Sequence, residues 1–167
     1  KSLISEKTEE LIQWKIFRGK GDISKIKMTG TQDQMALKLE TSSDKIMIAK
    51  GSVPGVVSVI KPSIAILVWT VKLNYNEEMI EPNLVAHVTS PSGPLSIQVK
   101  MGRINEGMNL YLSNNDGLLS ESNWFLRSSI GIIPPGNYSF SLWLSCKNNQ
   151  TLIYDEFRLF IIELADK

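Results

Sequence analysis

Histidine and serine are the side chains of this chain that could carry nucleophilic or acid–base chemistry. His87 is the single histidine, and it stands between Ala86 and Val88 in a segment with the composition of a strand. One histidine excludes a metal cluster built on several histidines. Serines are abundant, but none occurs in the Gly-x-Ser-x-Gly pattern of a nucleophile elbow. We therefore expect His87 to be a structural or surface residue of a strand.

Acidic side chains form the second group of candidates. Glu77, Glu78 and Glu81 stand in a polar segment, and Asp155 and Glu156 are their candidate partners in the fold. Glycosidases need two carboxyl groups about 5 to 9 Å apart, a separation that sequence spacing does not define. Neighbouring glutamates in a polar segment are usually solvated. We therefore assign no catalytic residue and predict a protein that is not an enzyme.

Two aromatic residues are the first candidates for ligand or partner binding. Trp124 and Phe125 are adjacent in Leu118–Ser129, which we predict to be a loop. An exposed aromatic pair on a loop is a common anchor for sugars or proteins, whereas a buried pair would close the end of the fold. Two other tryptophans, Trp69 and Trp143, stand in strand-like segments, where we expect them in the core or on a sheet face.

Asn114 and Asp116 are the second candidates for ligand or partner binding. They stand at a predicted loop tip before Gly117, and their side-chain oxygens could contact a ligand. Several β-sandwich lectins hold calcium with such residues. The ligand spacing of an EF-hand loop is absent, however, so we predict neither a metal site nor any other cofactor.

The single cysteine, Cys146, excludes an intrachain disulfide and a multi-cysteine metal site. It alternates with Phe140, Leu142 and Leu144, so we predict a small apolar strand residue. Secreted domains of this size often contain disulfides. Their absence favours a virion or an intracellular location over a disulfide-rich secreted one.

The composition is that of an ordinary globular domain. The 167 residues are 43% hydrophobic and 21% charged, which is enough to bury a core. The formal net charge of +1 gives no strong signal for nucleic-acid binding. The densest apolar run, Ile64–Val71, has the length of a strand and is too short to span a membrane.

Strand patterns dominate the chain. Tyr138, Phe140 and Leu142 alternate with serines, as in a strand with one buried face. Residues 64–73 are apolar on both alternating faces in their first half, which predicts a central strand packed on both sides. Turn residues such as Pro134–Asn137 separate about ten short strands.

These patterns predict an all-β fold, an antiparallel β-sandwich, with a jelly-roll-like arrangement preferred over an immunoglobulin-like one. Ser5, followed by glutamates, predicts a short helix that passes into an extended segment. We divide the chain into an N-terminal helical or extended arm, residues 1–18, and a single β-sandwich domain, residues 19–167.

Three functions are compatible with this pattern. The leading hypothesis is a non-enzymatic assembly or protein-interaction domain, such as a viral capsid, spike or other structural subunit, because the chain is β-rich, near neutral and without a catalytic constellation. The alternative is a carbohydrate- or receptor-binding module that uses the segment around Trp124 and Phe125. The least favoured is a jelly-roll hydrolase built on Glu78, Glu81 and Glu156.

Overall fold

A computed structural model of the chain describes residues 3–27, 35–42, 44–74, 79–90, 93–103, 108–110, 122–147 and 149–164. Within these ranges the chain forms one short helix and twelve strands: α1 (Glu6–Glu10), β1 (Trp14–Arg18), β2 (Asp22–Lys27), β3 (Met35–Glu40), β4 (Met47–Val59), β5 (Ser63–Asn74), β6 (Asn83–Ser90), β7 (Gly93–Gln98), β8 (Met101–Arg103), β9 (Met108–Leu110), β10 (Ser122–Ile133), β11 (Gly136–Cys146) and β12 (Thr151–Glu163).

The strands form two sheets. The five-stranded sheet has the order β1-β4-β11-β6-β7, and the seven-stranded sheet has the order β2-β3-β12-β5-β10-β8, with β9 also paired to β10. All the pairings are antiparallel. The chain passes from one sheet to the other after β1, β3, β4, β5, β7, β10 and β11. The predicted antiparallel β-sandwich, with its jelly-roll-like course, is therefore confirmed.

The core lies between the sheets and is built by alternation along each strand. On β11, Phe140, Leu142 and Leu144 point inward and are buried. From the seven-stranded sheet, Trp69 and Phe157 meet them as part of the same apolar cluster. A buried side chain of this kind stabilises the fold by about 1.5–3 kcal/mol. Cys146 is buried at the end of β11, as its alternation predicted.

Strand β5 is central in its sheet, with β12 on one side and β10 on the other, as predicted. The prediction that it is packed on both sides needs correction. Its outward residues Ile64 and Ile66 are only half-buried. Their neighbours in register include Ile132, which is 70% exposed, and Ile162, which is 49% exposed. Within the described residues, apolar neighbours across the strands cover one another there.

The N-terminal segment contains the predicted short helix. Ser5 is its N-cap: the Ser5 hydroxyl accepts from the backbone N–H of Thr8, and the Thr8 hydroxyl accepts from the backbone N–H of Ser5. Residues 14–18 then form β1 at the edge of the five-stranded sheet. The division between an arm and a domain at residue 18 stays a prediction. In the described residues no helix is long and apolar enough to span a membrane.

Gly19 joins the two sheets between β1 and β2. Its φ of +85° is a conformation that other residues rarely adopt, and a Cβ there would lie 2.5 Å from the backbone oxygen of Ile46. Glycine is therefore required at this passage.

One expected loop is a strand. We predicted a loop over Leu118–Ser129, but residues from Ser122 onward belong to β10 and pair with β5 along its whole length. The prediction failed because the inward positions of β10 include Arg127, Ser129 and Gly131, which interrupt the apolar alternation. Residues 118–121 lie outside the described part of the chain.

Candidate functional site

We predicted four residues to bind a ligand or a partner. Two of them, Trp124 and Phe125, lie on β10 of the seven-stranded sheet. Trp124 lies on β10, opposite Lys72 of β5 and Leu110 of β9. Phe125 is half-buried and packs against the core, with the guanidinium carbon of Arg127 5.6 Å from its ring centroid. Phe125 is therefore not an exposed loop anchor.

Asn114 and Asp116 lie outside the described residues. The role of all four residues predicted to bind a ligand or a partner stays a prediction.

The described acidic candidates lie at two places in the fold, before β6 and on β12. Glu81 lies near the start of β6, where its Oε1 is 3.8 Å from Nη1 of Arg127. Asp155 and Glu156 lie on β12, and burial raises the pKa of the Asp155 carboxyl above its usual value. Glu77 and Glu78 lie outside the described residues. The described residues contain no group of three His, Cys, Asp or Glu side chains that could hold a metal ion.

The residues that the fold does bring together lie on the outer face of the five-stranded sheet. Alternation on β11 buries Phe140 and Leu142, so the side chains between them turn to the other face of that sheet. Neighbouring strands add further polar side chains in register. We call this surface the Trp143 face; its members are Lys15, Phe17, Arg18, Ile48, Lys50, Ser52, Asn83, Val85, His87, Ser96, Gln98, Ser139, Ser141, Trp143 and Ser145.

Trp143 is the largest side chain of this face, and its ring is half-buried. The ring of Phe17, 49% exposed, packs on it with centroids 4.8 Å apart and an interplanar angle of 47°. A register shift in β1 between Ile16 and Arg18 accompanies this position of Phe17. The ammonium nitrogen of Lys50 lies 5.6 Å from the Trp143 ring centroid. An aromatic corner and a cation thus lie together on a mostly polar surface.

Hydrogen bonds fix the orientation of the Trp143 ring. The indole Nε1–H donates to the hydroxyl of Ser141 at 3.2 Å. The same hydroxyl lies 2.8 Å from Nε2 of His87, whose Nδ1 lies 2.8 Å from the hydroxyl of Ser96. A neutral imidazole satisfies both serines, because one of its nitrogens donates and the other accepts. Burial and the nearby Lys50 cation lower the pKa of His87, which favours this neutral form.

A cavity of about 150 Å³, lined by polar and apolar side chains, adjoins the Trp143 face where β6 begins and β7 ends. Asn83 lies opposite Trp143 in the register and also lines the cavity. Its side-chain oxygen accepts from Nε2 of Gln98, a second lining residue, at 3.1 Å. The Ser129 hydroxyl lines the far side; it is buried and has no hydrogen-bond partner within the described part of the chain. Polar groups of Asn83, Gln98 and Ser129 therefore extend inward from the Trp143 face, with apolar side chains among them.

Sequence reasoning missed this face, although part of the signal was present. We interpreted Trp143 as a core or sheet-face residue, yet its position in the pattern, out of phase with Phe140, Leu142 and Leu144, points it outward with the serines. Phe17 and Lys50 could not be found in this way. They reach Trp143 through the pairing of β1 with β4 and of β4 with β11, which no local pattern specifies.

No protein-family model and no curated protein sequence matches the chain. Among solved structures it is similar to the CBM22-1 xylan-binding domain of Xyn10C from Paenibacillus barcinonensis, at 14% identity over 91% of this chain and 87% of that one, with a TM-score of 0.49. It is also similar to the module TmCBM61, solved with β-1,4-galactotriose, at 15% identity over 96% and 98% of the two chains, with a TM-score of 0.44.

A third similar structure comes from work on the promiscuous specificity of carbohydrate-binding modules of the β-sandwich superfamily. It is 8% identical over 89% of this chain and 56% of that one, with a TM-score of 0.35. All three structures are carbohydrate-binding modules, and none is a virion or spike subunit. This finding corrects our leading hypothesis of a viral or other structural assembly subunit.

Proposed function

We propose that the chain is a non-enzymatic carbohydrate-binding module and that the Trp143 face is its binding surface. The observation that carries the proposal is the fixed, half-exposed ring of Trp143 within a surface of hydroxyl, amide and ammonium groups. The proposal keeps the class of ligand that the sequence allowed as an alternative. It moves the site from Trp124 and Phe125 to the opposite sheet.

The chemistry of a sugar fits this combination. A pyranose ring has apolar C–H faces and a rim of hydroxyl groups, so it needs an aromatic plane and several hydrogen-bonding groups beside it. The rings of Trp143 and Phe17 provide the apolar contact. The exposed hydroxyl of Ser52 and the amides of Asn83 and Gln98 lie on strands next to β11 or one strand further away.

The site is also organised before a ligand arrives. Trp143 is held by Phe17 on one side and by the Ser141 hydroxyl, which His87 in turn contacts. Ordering one flexible side chain on binding typically costs about 0.5–1.5 kcal/mol of conformational entropy. A side chain that is already ordered avoids much of this cost. Sugars bind through many weak contacts, so this saving matters for affinity.

The same face is suited to binding without hydrolysis. Glycoside hydrolysis commonly needs two carboxyl groups beside the scissile bond. The five strands that form this sheet contain no aspartate and no glutamate. A glycan on this surface therefore meets no protein carboxylate from these strands.

The test is glycan binding by the Trp143→Ala variant, measured by isothermal titration against a ligand found on a glycan array. Loss of a central aromatic anchor removes about 2 kcal/mol or more, so we expect the affinity to fall about 30-fold. Phe160→Ala, on the outer face of the seven-stranded sheet, is the matched control and should bind as the parent protein does. Circular dichroism checks that both variants are folded.

A Trp124→Ala variant separates the two candidate sites for carbohydrate. If it abolishes binding and Trp143→Ala does not, the site lies on β10 as the sequence suggested, and the Trp143 face is excluded. An array on which no glycan binds the parent protein would remove the proposed function.

A further inference from the structure

The cations of the Trp143 face are the starting point for a statement about its ligand. The five strands of this sheet carry three formal cations, Lys15, Arg18 and Lys50, and no carboxylate. In the register Lys15 lies opposite Lys50, and Lys50 lies opposite Trp143. The positive charge is thus concentrated beside the aromatic corner.

These three cations have no acidic partner among the described residues, whereas cations elsewhere do. Arg127 and Arg158 each lie within 4 Å of a glutamate oxygen. Lys15 and Lys50, in contrast, stand directly opposite each other on neighbouring strands, an arrangement in which like charges destabilise the sheet. Lys50 also lowers the pKa of His87, so the electrostatic effect of its charge extends to His87 on β6. A bound anion would relieve this repulsion.

We propose that the glycan bound by the Trp143 face is anionic, a polysaccharide whose sugars carry carboxylate or sulfate groups. This inference rests on the proposed function and narrows its class of ligand. Trp143 contacts the sugar ring, while Lys50 and Lys15 bind the negative group beside it. A charge-assisted hydrogen bond is roughly twice as strong as a neutral one, which gives selectivity over uncharged glycans.

A single-stranded nucleic acid is the other polyanion that aromatic and basic residues bind. Such proteins use a positively charged groove that follows the backbone over several nucleotides, together with aromatic side chains on which successive bases stack. Here one aromatic corner and three cations share a face whose other polar members are mostly serines and amides, and the formal net charge of the chain is +1. These features favour an anionic glycan over a single-stranded nucleic acid.

The experiment titrates the protein with polygalacturonate, dextran sulfate, neutral β-1,4-galactan and a single-stranded RNA oligonucleotide, at low and at physiological salt. We expect polygalacturonate or dextran sulfate to bind about tenfold more tightly than the neutral glycan. The first two probes distinguish carboxylate from sulfate as the recognised group. The difference in affinity between the anionic and the neutral glycans should decrease as salt screens the charges. Binding of the anionic glycan should also depend on Trp143, so Trp143→Ala must weaken it.

Charge variants test the residues. Lys50→Gln and Lys15→Gln should each weaken binding of the anionic glycan about three- to tenfold more than they weaken binding of the neutral glycan. Lys25→Gln, an exposed position on β2 of the other sheet, is the matched control and should change neither.

The outcomes separate this inference from the proposed function. Equal affinity for neutral and anionic glycans, with Trp143 required and the lysine variants unchanged, overturns the inference and leaves the proposed function standing. Tighter binding of RNA than of any glycan also overturns the inference. Binding of polyanions that does not depend on Trp143 shows adsorption by charge alone, which overturns it as well. If no glycan probe binds and no glycan on an array binds the parent protein, the proposed function is contradicted.

Discussion

The outer faces of the two sheets differ in chemistry although both obey the same alternation. The face of the five-stranded sheet carries hydroxyls, amides, cations and one aromatic corner. Part of the face of the seven-stranded sheet carries aliphatic and aromatic side chains in register, with Ile66 between Phe160 and Ile130, and Ile64 between Ile162 and Ile132. The inward positions of both sheets are set by the shared core. The outward positions are free to differ, and there the two sheets differ in their side-chain chemistry.

The largest expected effect tests whether outward side chains of the seven-stranded sheet are less buried than its inward side chains. Leu67, fully buried, and Ile66, half-buried, are neighbours on β5 that point to opposite sides. Leu67→Ala should lower the free energy of unfolding by about 2–5 kcal/mol, because it leaves a cavity in the core. Ile66→Ala should cost about 1 kcal/mol, because less apolar area is lost from a buried state. Urea denaturation measures both; equal losses would mean that a further layer covers Ile66.

The next effect concerns the pH dependence of the seven-stranded sheet. Glu9 of α1 accepts a hydrogen bond from the backbone N–H of Phe157 on β12, and its other oxygen lies 3.4 Å from Arg158. Burial outweighs these contacts and raises the pKa of Glu9 from 4.5 to about 7. Between these values the folded protein keeps a proton that the unfolded chain has released. The free energy of unfolding should therefore fall by up to about 3 kcal/mol as pH rises from 4.5 through 7.

Glu9→Gln is the matched variant for this pH dependence. The amide does not ionise, so thermal or urea unfolding across the same pH range should lose that component of the slope. An unchanged slope in the variant would assign the effect to another group.

The smallest effect concerns His87, on the five-stranded sheet, and has the opposite sign. Its pKa is lowered in the folded protein, chiefly by burial and then by Lys50, so below pH 6.5 the unfolded chain binds more protons than the folded one. The stability due to neutral His87 is present above pH 6.5 and is lost as pH falls. In urea unfolding, His87→Gln should reduce this fall in the free energy of unfolding at acidic pH. The same fall in the variant would contradict the assignment to His87 and the contrast between the two sheets.

The fold could be predicted from the sequence because its main determinant is local. Alternation along Tyr138–Cys146, with turns between the segments, is enough to indicate paired strands around a core. Strand β10 was missed because Arg127 and Ser129 occupy its inward positions, so tertiary pairing with β5, and not local pattern, makes it a strand. Local pattern therefore defines elements well only where the buried face is uniformly apolar.

The candidate site could be predicted only in part. The alternation along β11 indicates that Trp143 points outward. Its place in a candidate site depends on Phe17 and Lys50, which come from strands distant in the chain. Which strands become neighbours is set by the topology, and one-dimensional patterns do not encode it. The loop hypothesis for Trp124 failed for the same reason, because β10 is held in the middle of its sheet by β5 on one side and by β8 and β9 on the other.

The position of β1 at the edge of its sheet has one more consequence, which concerns solubility. An edge strand exposes unpaired N–H and C=O groups that can pair with another molecule and start aggregation. Here that strand is only five residues long and carries Lys15 and Arg18, while the other edge strand, β7, contains Pro94, which lacks a backbone donor. Short length, charge and proline are the features by which β-proteins protect such edges. We therefore expect the cations on β1 to oppose pairing between copies of this β-rich chain, and neutralising them to promote intermolecular strand pairing.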